Sequence, residues 1–325
     1  MFAALSLACV SCNDREADSG FMNFPISFCV QTDGVDTRAT RYGSETEFAG
    51  QSFGIYGWDE ASNSIYSNST VSKTDGKWLA GGTTQYWEKD KSYTFEAIYP
   101  RITGTPTDGL TSFTPNTVPG SVTFSYKVPS STASANSKDI MLAYYSGTGV
   151  QDGEFRAANL TFTHPLTCVC FKSGNMNGVT NVTEISLNGV YQQATCSVRT
   201  ITDSSSRQCY SYENDLNVSL WNTTDAAKTT VTGTQTVTPA NLTVGVAAYN
   251  FLLIPQSVSS SAPVKVTVKY TVSGESMSQE VSVPDISWKA GYYYTYELNF
   301  DGYIMTVNPV TVAAWGTENI DVQLN

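Results

Sequence analysis

Charge is scarce in this chain: 14% of the 325 residues are charged, and His164 is the single histidine. No run of Lys and Arg is present and the formal charge is −11, so nothing is offered to a phosphate backbone and no nucleic-acid partner is expected. No apolar stretch is long enough to span a bilayer as a helix. The 3.6-residue apolar period of an amphipathic helix is almost missing. A lone histidine and the lack of Cys-x-x-Cys pairs argue against a zinc centre. There is no Gly-x-Ser-x-Gly elbow and no phosphate-cradling glycine loop. Neither a metal, a cofactor nor an enzymatic activity is expected.

Hydrophobic residues make up 41% of the chain, which is enough for a packed core, and tyrosine alone reaches 19. Ser, Thr, Asn and Gly are abundant, as suits β-strands with hydroxyl-rich outer faces and many tight turns. Strand-like runs follow one another: Phe53–Trp58, Ser92–Tyr99, Val122–Val128, Ile140–Tyr145, Leu160–Lys172, Val182–Leu187, Tyr249–Ile254, Val264–Val272 and Gln279–Val283. Turns are expected at Gly81-Gly82, Asp108-Gly109, Pro119-Gly120, Asn188-Gly189 and Ser273-Gly274. Many short strands at even spacing predict an all-β sandwich architecture. The length suits two such units, with a boundary near Gln151–Glu154: residues 13–153 and 154–325.

At the N-terminus, Phe2–Val10 is apolar and Cys12 leads into Asn13, Asp14, Arg15 and Glu16. Residues 1–12 look like the tail of a bacterial lipoprotein signal, with Cys12 as the lipidated residue and Cys9 as its competitor. No Lys or Arg precedes the apolar run, so a translation start upstream of Met1 is expected. Of the remaining cysteines, Cys29, Cys168, Cys170, Cys196 and Cys209, most read as core filler. Cys168 and Cys170 share a strand face and cannot easily bridge. Cys196 and Cys209 flank the turn at Asp203–Ser206, which permits a cross-hairpin disulfide.

Several segments resemble the fimbrillin family of Bacteroidetes. They are Thr37-Arg38-Ala39-Thr40, Phe53–Gly57, Asp139–Ala143, Leu160–His164, Phe251–Gln256, Trp288–Tyr296 and the closing Val310–Trp315. Each is weak alone, and in this order they span nearly the whole chain. The resemblance implies two tandem transthyretin-like (Greek-key) β-sandwich domains and an exported lipoprotein precursor. It also implies assembly with other pilus subunits by strand exchange, at the outer membrane and cell surface.

Such a mechanism needs a removable strand, a cut site behind it and a donor strand. Phe24, Ile26, Phe28 and Val30 alternate with Pro25, Ser27 and Cys29, and form the candidate removable strand. Behind it, Arg38 and Arg41 lie in a polar stretch bounded by Gly34 and Gly43, suited to a trypsin-like protease. Ile320, Val322 and Leu324 repeat the same period at the C-terminus and are the candidate donor. Each piece also has an ordinary reading: a permanent first strand, solvated arginines and an intradomain last strand.

A second reading is a non-polymerising surface lipoprotein that binds a glycan or host protein. Trp58, Tyr66, Tyr86 and Trp87, in loops 57–69 and 78–87, are the candidate exposed aromatics. His164, at the start of a strand run, reads as a hydrogen-bonded structural residue, not a catalytic one.

Overall fold

The computed structural model describes residues 24–32, 50–115, 121–151, 154–203, 206–216, 218–301 and 304–314. Among these are 24 β-strands, two single-turn 3-10 helices and no α-helix. In chain order the strands begin with β1 (Ser27–Thr32), β2 (Ser52–Asp59), β3 (Ser64–Thr74), β4 (Lys77–Ala80), β5 (Ser92–Tyr99), β6 (Gly109–Pro115), β7 (Ser121–Lys127) and β8 (Met141–Thr148). There follow β9 (Val150–Gln151), β10 (Glu154–Phe155), β11 (Ala158–Phe162), β12 (Thr167–Met176), β13 (Val179–Tyr191), β14 (Gln193–Thr202), β15 (Gln208–Ser211) and β16 (Trp221–Asn222). The last are β17 (Lys228–Val237), β18 (Asn250–Leu253), β19 (Gln256–Val258), β20 (Lys265–Val272), β21 (Glu275–Ser282), β22 (Ile286–Trp288), β23 (Tyr292–Asp301) and β24 (Ile304–Ala314).

Seven strands form one sheet in the order β11-β1-β4-β3-β2-β5-β8. The sheet curls until its ends meet, where Leu142 and Thr163 exchange two backbone hydrogen bonds of 3.1 and 2.9 Å. Its inner face encloses a core built on Phe28, Phe53, Trp78, Phe95 and Phe162. Strand β5 is buried on both faces: Phe95 and Ala97 belong to this core, while Ile98 belongs to a second, larger one. Only a second layer on the outside can produce that pattern, and the sheet β15-β14-β7-β6 supplies it. Tyr56 meets Phe113 at 5.3 Å and Tyr144 meets Tyr210 at 5.7 Å across the two layers. The second core continues into two four-stranded sheets, β18-β12-β23-β24 and β17-β13-β20-β21.

Sheet membership does not follow the expected division at 153/154. Strand β11 turns back to pair with β1, while β6 and β7 join β14 and β15 of the later half. The run Leu160–Lys172 is accordingly two strands, β11 and β12, broken at His164-Pro165 where the chain leaves one sheet for the next. A loop-rich stretch marks a change in composition, but hydrogen-bond partners are chosen by non-local packing that composition does not record.

The Ser273-Gly274 turn is present, both residues at positive φ, as a tight β20–β21 hairpin requires. Asn188-Gly189, expected as a turn, is instead a bulge inside β13: pairing with β17 slips between Asn188 and Val190, and Gly189 has φ +97°. Gly233 in β17 has a different constraint. A Cβ there would run into the carbonyl oxygen of Ala248, in the 3-10 turn Ala247–Tyr249. Because the obstacle is backbone, Gly233→Ala should destabilise the fold by about 1–3 kcal/mol, read as a lower urea midpoint with unchanged slope.

Candidate functional site: strand β1 and the groove it fills

The alternation of the first segment translates directly into burial. Ile26, Phe28 and Val30 are 2%, 3% and 1% exposed, and Phe24 packs partly buried on the same core. Pro25, Ser27 and Cys29 point the other way and keep partial or full exposure. The four apolar residues therefore share a face, as a period of two demands.

Although first among the described strands, β1 is an interior one. On one side it pairs in parallel with β11, from Phe28↔Ala158 to Thr32↔Phe162. On the other it pairs antiparallel with β4 through Ser27↔Leu79 and Phe28↔Trp78. Further upstream the Ile26 N–H donates to Gln85 O and the Trp87 N–H donates to Phe24 O, both at 2.9 Å. Parallel strands cannot be joined by a tight hairpin, and here the whole of β2–β10 lies between β1 and β11. Its departure would part β11 from β4 and leave two rows of unpaired backbone groups above an apolar floor.

The floor is aromatic. The Phe28 ring stands edge-on to Phe95 at 5.3 Å and lies 6.4 Å from Tyr66. Burial pushes the Tyr66 phenol up to about 12, so it stays neutral beneath the strand. Burying Ile26, Phe28 and Val30 contributes about 5–9 kcal/mol gross. That is comparable to the whole net stability of a typical domain, about 5–15 kcal/mol, so an empty groove would not persist unfilled.

Three of the four aromatics expected in exposed loops are buried instead, and two of them, Tyr66 and Trp87, belong to this core. Trp58, Tyr66 and Trp87 are 9%, 5% and 4% exposed; only Tyr86, at 41%, faces solvent. Trp58 lies within β2 and Tyr66 within β3. Trp87 stacks edge-on to Tyr93 and Phe95 at 5.1 and 5.9 Å, over Gly149, where any side chain would strike its ring. Flanking Gly, Ser and Lys residues make these stretches read as loops. Trp87 is buried where β1 runs past residues 85–87 and Tyr66 where Phe28 lies over it, contacts no local pattern announces.

The disulfide weighed for Cys196 and Cys209 does not form. Cys209 pairs with Ile201, five residues along β14 from Cys196, which faces Trp221 and Phe124 instead. Five residues of strand are about 17 Å, far beyond the reach of a disulfide. Cys168 and Cys170 do share a face, with sulfurs 3.5 Å apart, beneath Leu252, Val244 and Tyr293.

His164 is buried, its Nδ1 2.9 Å from Asp139 Oδ2, with side chains 1% and 0% exposed. This contact ties the end of β11 to the segment entering β8, beside the Leu142–Thr163 closure of the curled sheet. Sequence reasoning overlooked Glu96, fully buried on the outer face of β5. Burial, and next the charge of this carboxyl, push the Tyr210 phenol well above its ordinary value. An acid amid apolar residues in a strand pattern was the available signal. Among the described residues no cluster of His, Cys, Asp and Glu could hold a metal ion, and no helix is long and apolar enough to cross a membrane. Cys9, Cys12, Arg38, Arg41, Ile320, Val322 and Leu324 lie outside the described residues. The last described strand, β24, is a sheet edge and pairs through Ala314 with Tyr292.

Among solved structures, a candidate cell adhesion protein from Bacteroides ovatus ATCC 8483 matches with TM-score 0.54 at 16% identity, over 91% of this chain and 99% of its own. A fimbrial protein from Bacteroides vulgatus ATCC 8482 matches with TM-score 0.54 at 15% identity, over 89% and 99%. At such identities the likeness is one of fold. Proteins with curated descriptions give no match. The sequence model of the fimbrillin-like family matches residues 37–315, the greater part of the chain, and the chain thus belongs to that family.

Proposed function

We propose that the protein is a fimbrial subunit or fimbria-associated adhesin, exported as a lipoprotein and assembled by protease-triggered exchange of β1 for a strand of another subunit. The observation that carries this reading is the position of β1: interior in its sheet, hydrogen-bonded on both edges, and supplying Ile26, Phe28 and Val30 to one core. An extended segment with apolar residues at every second position could satisfy the same backbone groups and pockets. Ile320, Val322 and Leu324 have that spacing. Cleavage after Arg38 or Arg41 would sever β1, together with a lipid on Cys12 or Cys9, from the rest of the chain. Family membership supports the reading and, with it, two tandem transthyretin-like sandwiches, a cell-surface location and a structural, non-enzymatic role. Its partners are other subunits; a host ligand would be additional.

The test is treatment of the purified precursor with an arginine-specific protease, followed by mass and size. A cut after Arg38 or Arg41 should yield concentration-dependent oligomers that resist SDS, and deletion of residues 320–324 should abolish them while leaving a folded monomer. A clean cut with a persistent monomer would sink strand exchange. Glycan capture by aromatic loops loses its main support, since Trp58, Tyr66 and Trp87 are buried.

A further inference from the structure

Strands β2, β3 and β5 bring Ser52, Thr70 and Tyr99 together around a hollow of about 270 Å³, with Gln51, Pro100, Arg101, Thr103 and Lys138 completing its wall. Hydroxyl and amide groups dominate the lining, and two cations converge on it. In a chain of formal charge −11 this is notable, because neither Arg101 nor Lys138 pairs with a carboxylate among the described residues. The nearest acid in sequence, Asp139, is committed to His164.

Arg101 is held in place before any ligand arrives. Its Nε donates to Asn68 O at 2.9 Å, and the Asn68 side-chain amide donates to Ile102 O at 2.9 Å. Asn68 sits at φ +51°, and its oxygen and the Arg101 stem lie across Gly54. A Cβ at position 54 would stand 2.5 Å from Asn68 Oδ1 and 3.3 Å from Arg101 Cγ. With Nε occupied, the two terminal guanidinium nitrogens present a planar fork of the kind that carboxylates bind in two-point fashion. The Tyr99 hydroxyl reaches Gln51 Oε1 at 3.5 Å, so the amide nitrogen of Gln51 remains a donor. The volume lies just below the usual range of ligand pockets, room for one ring and too little for a folded segment.

We propose that this hollow binds a sugar acid, a single pyranose bearing one carboxylate. Arg101 and Lys138 take the carboxylate, and Gln51, Ser52 and Thr70 take the ring hydroxyls. The inference does not depend on exchange of β1.

The test is saturation-transfer NMR with calorimetry on the full chain at low salt, with sodium glucuronate, galacturonate and N-acetylneuraminate as probes and glucose and acetate as controls. At least one sugar acid should bind, with glucose and acetate each weaker by about tenfold or more. Lys138→Gln, an exposed change that leaves the melting temperature unaltered, should weaken binding about tenfold, and Arg101→Gln should abolish it. Absence of binding by all three acids would overturn the proposal. So would glucose binding equally, which removes the carboxylate from recognition, or acetate binding equally, which removes the ring. Affinity unchanged in both variants would place any binding elsewhere.

Discussion

Phe28→Ala should lower the stability of the intact chain by about 3–5 kcal/mol, the largest loss expected from any single residue of β1. The ring is 3% exposed, meets Phe95 and Tyr66, and belongs to the one β1 residue paired on both edges, with Ala158 and Trp78. Its removal creates a cavity in a floor of large rings that cannot easily collapse. Cys29→Ala, on the opposite face, should change stability by no more than about 0.5 kcal/mol. Urea unfolding of the two variants measures the difference. Equal small losses would mean that β1 contributes little to the core and would also remove the energetic case for strand exchange. If exchange occurs, Phe28→Ala should in addition hasten assembly after cleavage, because the departing strand is held less tightly.

The second large effect concerns the buried contact between Asp139 and His164. Asp139→Ala should destabilise the fold by about 3–5 kcal/mol, since it removes one member of a fully buried pair and leaves a cavity beside the imidazole. Replacing both residues, Asp139→Leu with His164→Leu, should recover much of that loss, because two apolar groups need no partner. A double-mutant cycle followed by thermal or urea unfolding reads the coupling directly. Additive losses would show that the two side chains act independently and that their 2.9 Å approach is incidental. The pair sits where the curled sheet closes on itself, so its loss should loosen the β8–β11 end first. Hydrogen exchange at Leu142 and Thr163, whose amides make the closing bonds, would report this.

Both effects arise at places the sequence marked, though it marked them unequally. Phe24–Val30 declared its inward face through strict alternation, and the structure buries that face as expected. His164 read as a structural residue, and its partner Asp139 lay within another segment that carried the family resemblance. What joins the two is the β8–β11 closure, visible only when both strands are in place. The hollow around Arg101 was not anticipated at all. Its wall comes from four stretches of chain, and the residue that makes room for it, Gly54, looks like any glycine in a strand.

The sequence by itself determined that the chain is all β, where many of its strands lie and which face of Phe24–Val30 turns inward. Those properties are local: side chains alternate along a strand, and Gly, Asn and Asp punctuate it. Its family, too, was readable from short segments in order. Only the tertiary structure decided which strands are neighbours. It set β1 between β11 and β4, carried β6 and β7 across to β14, buried Trp58, Tyr66 and Trp87, and kept Cys196 from Cys209. Pairing and register depend on how whole faces fit against one another over long separations in sequence. A period of two tells a residue which way to point but not what it will meet.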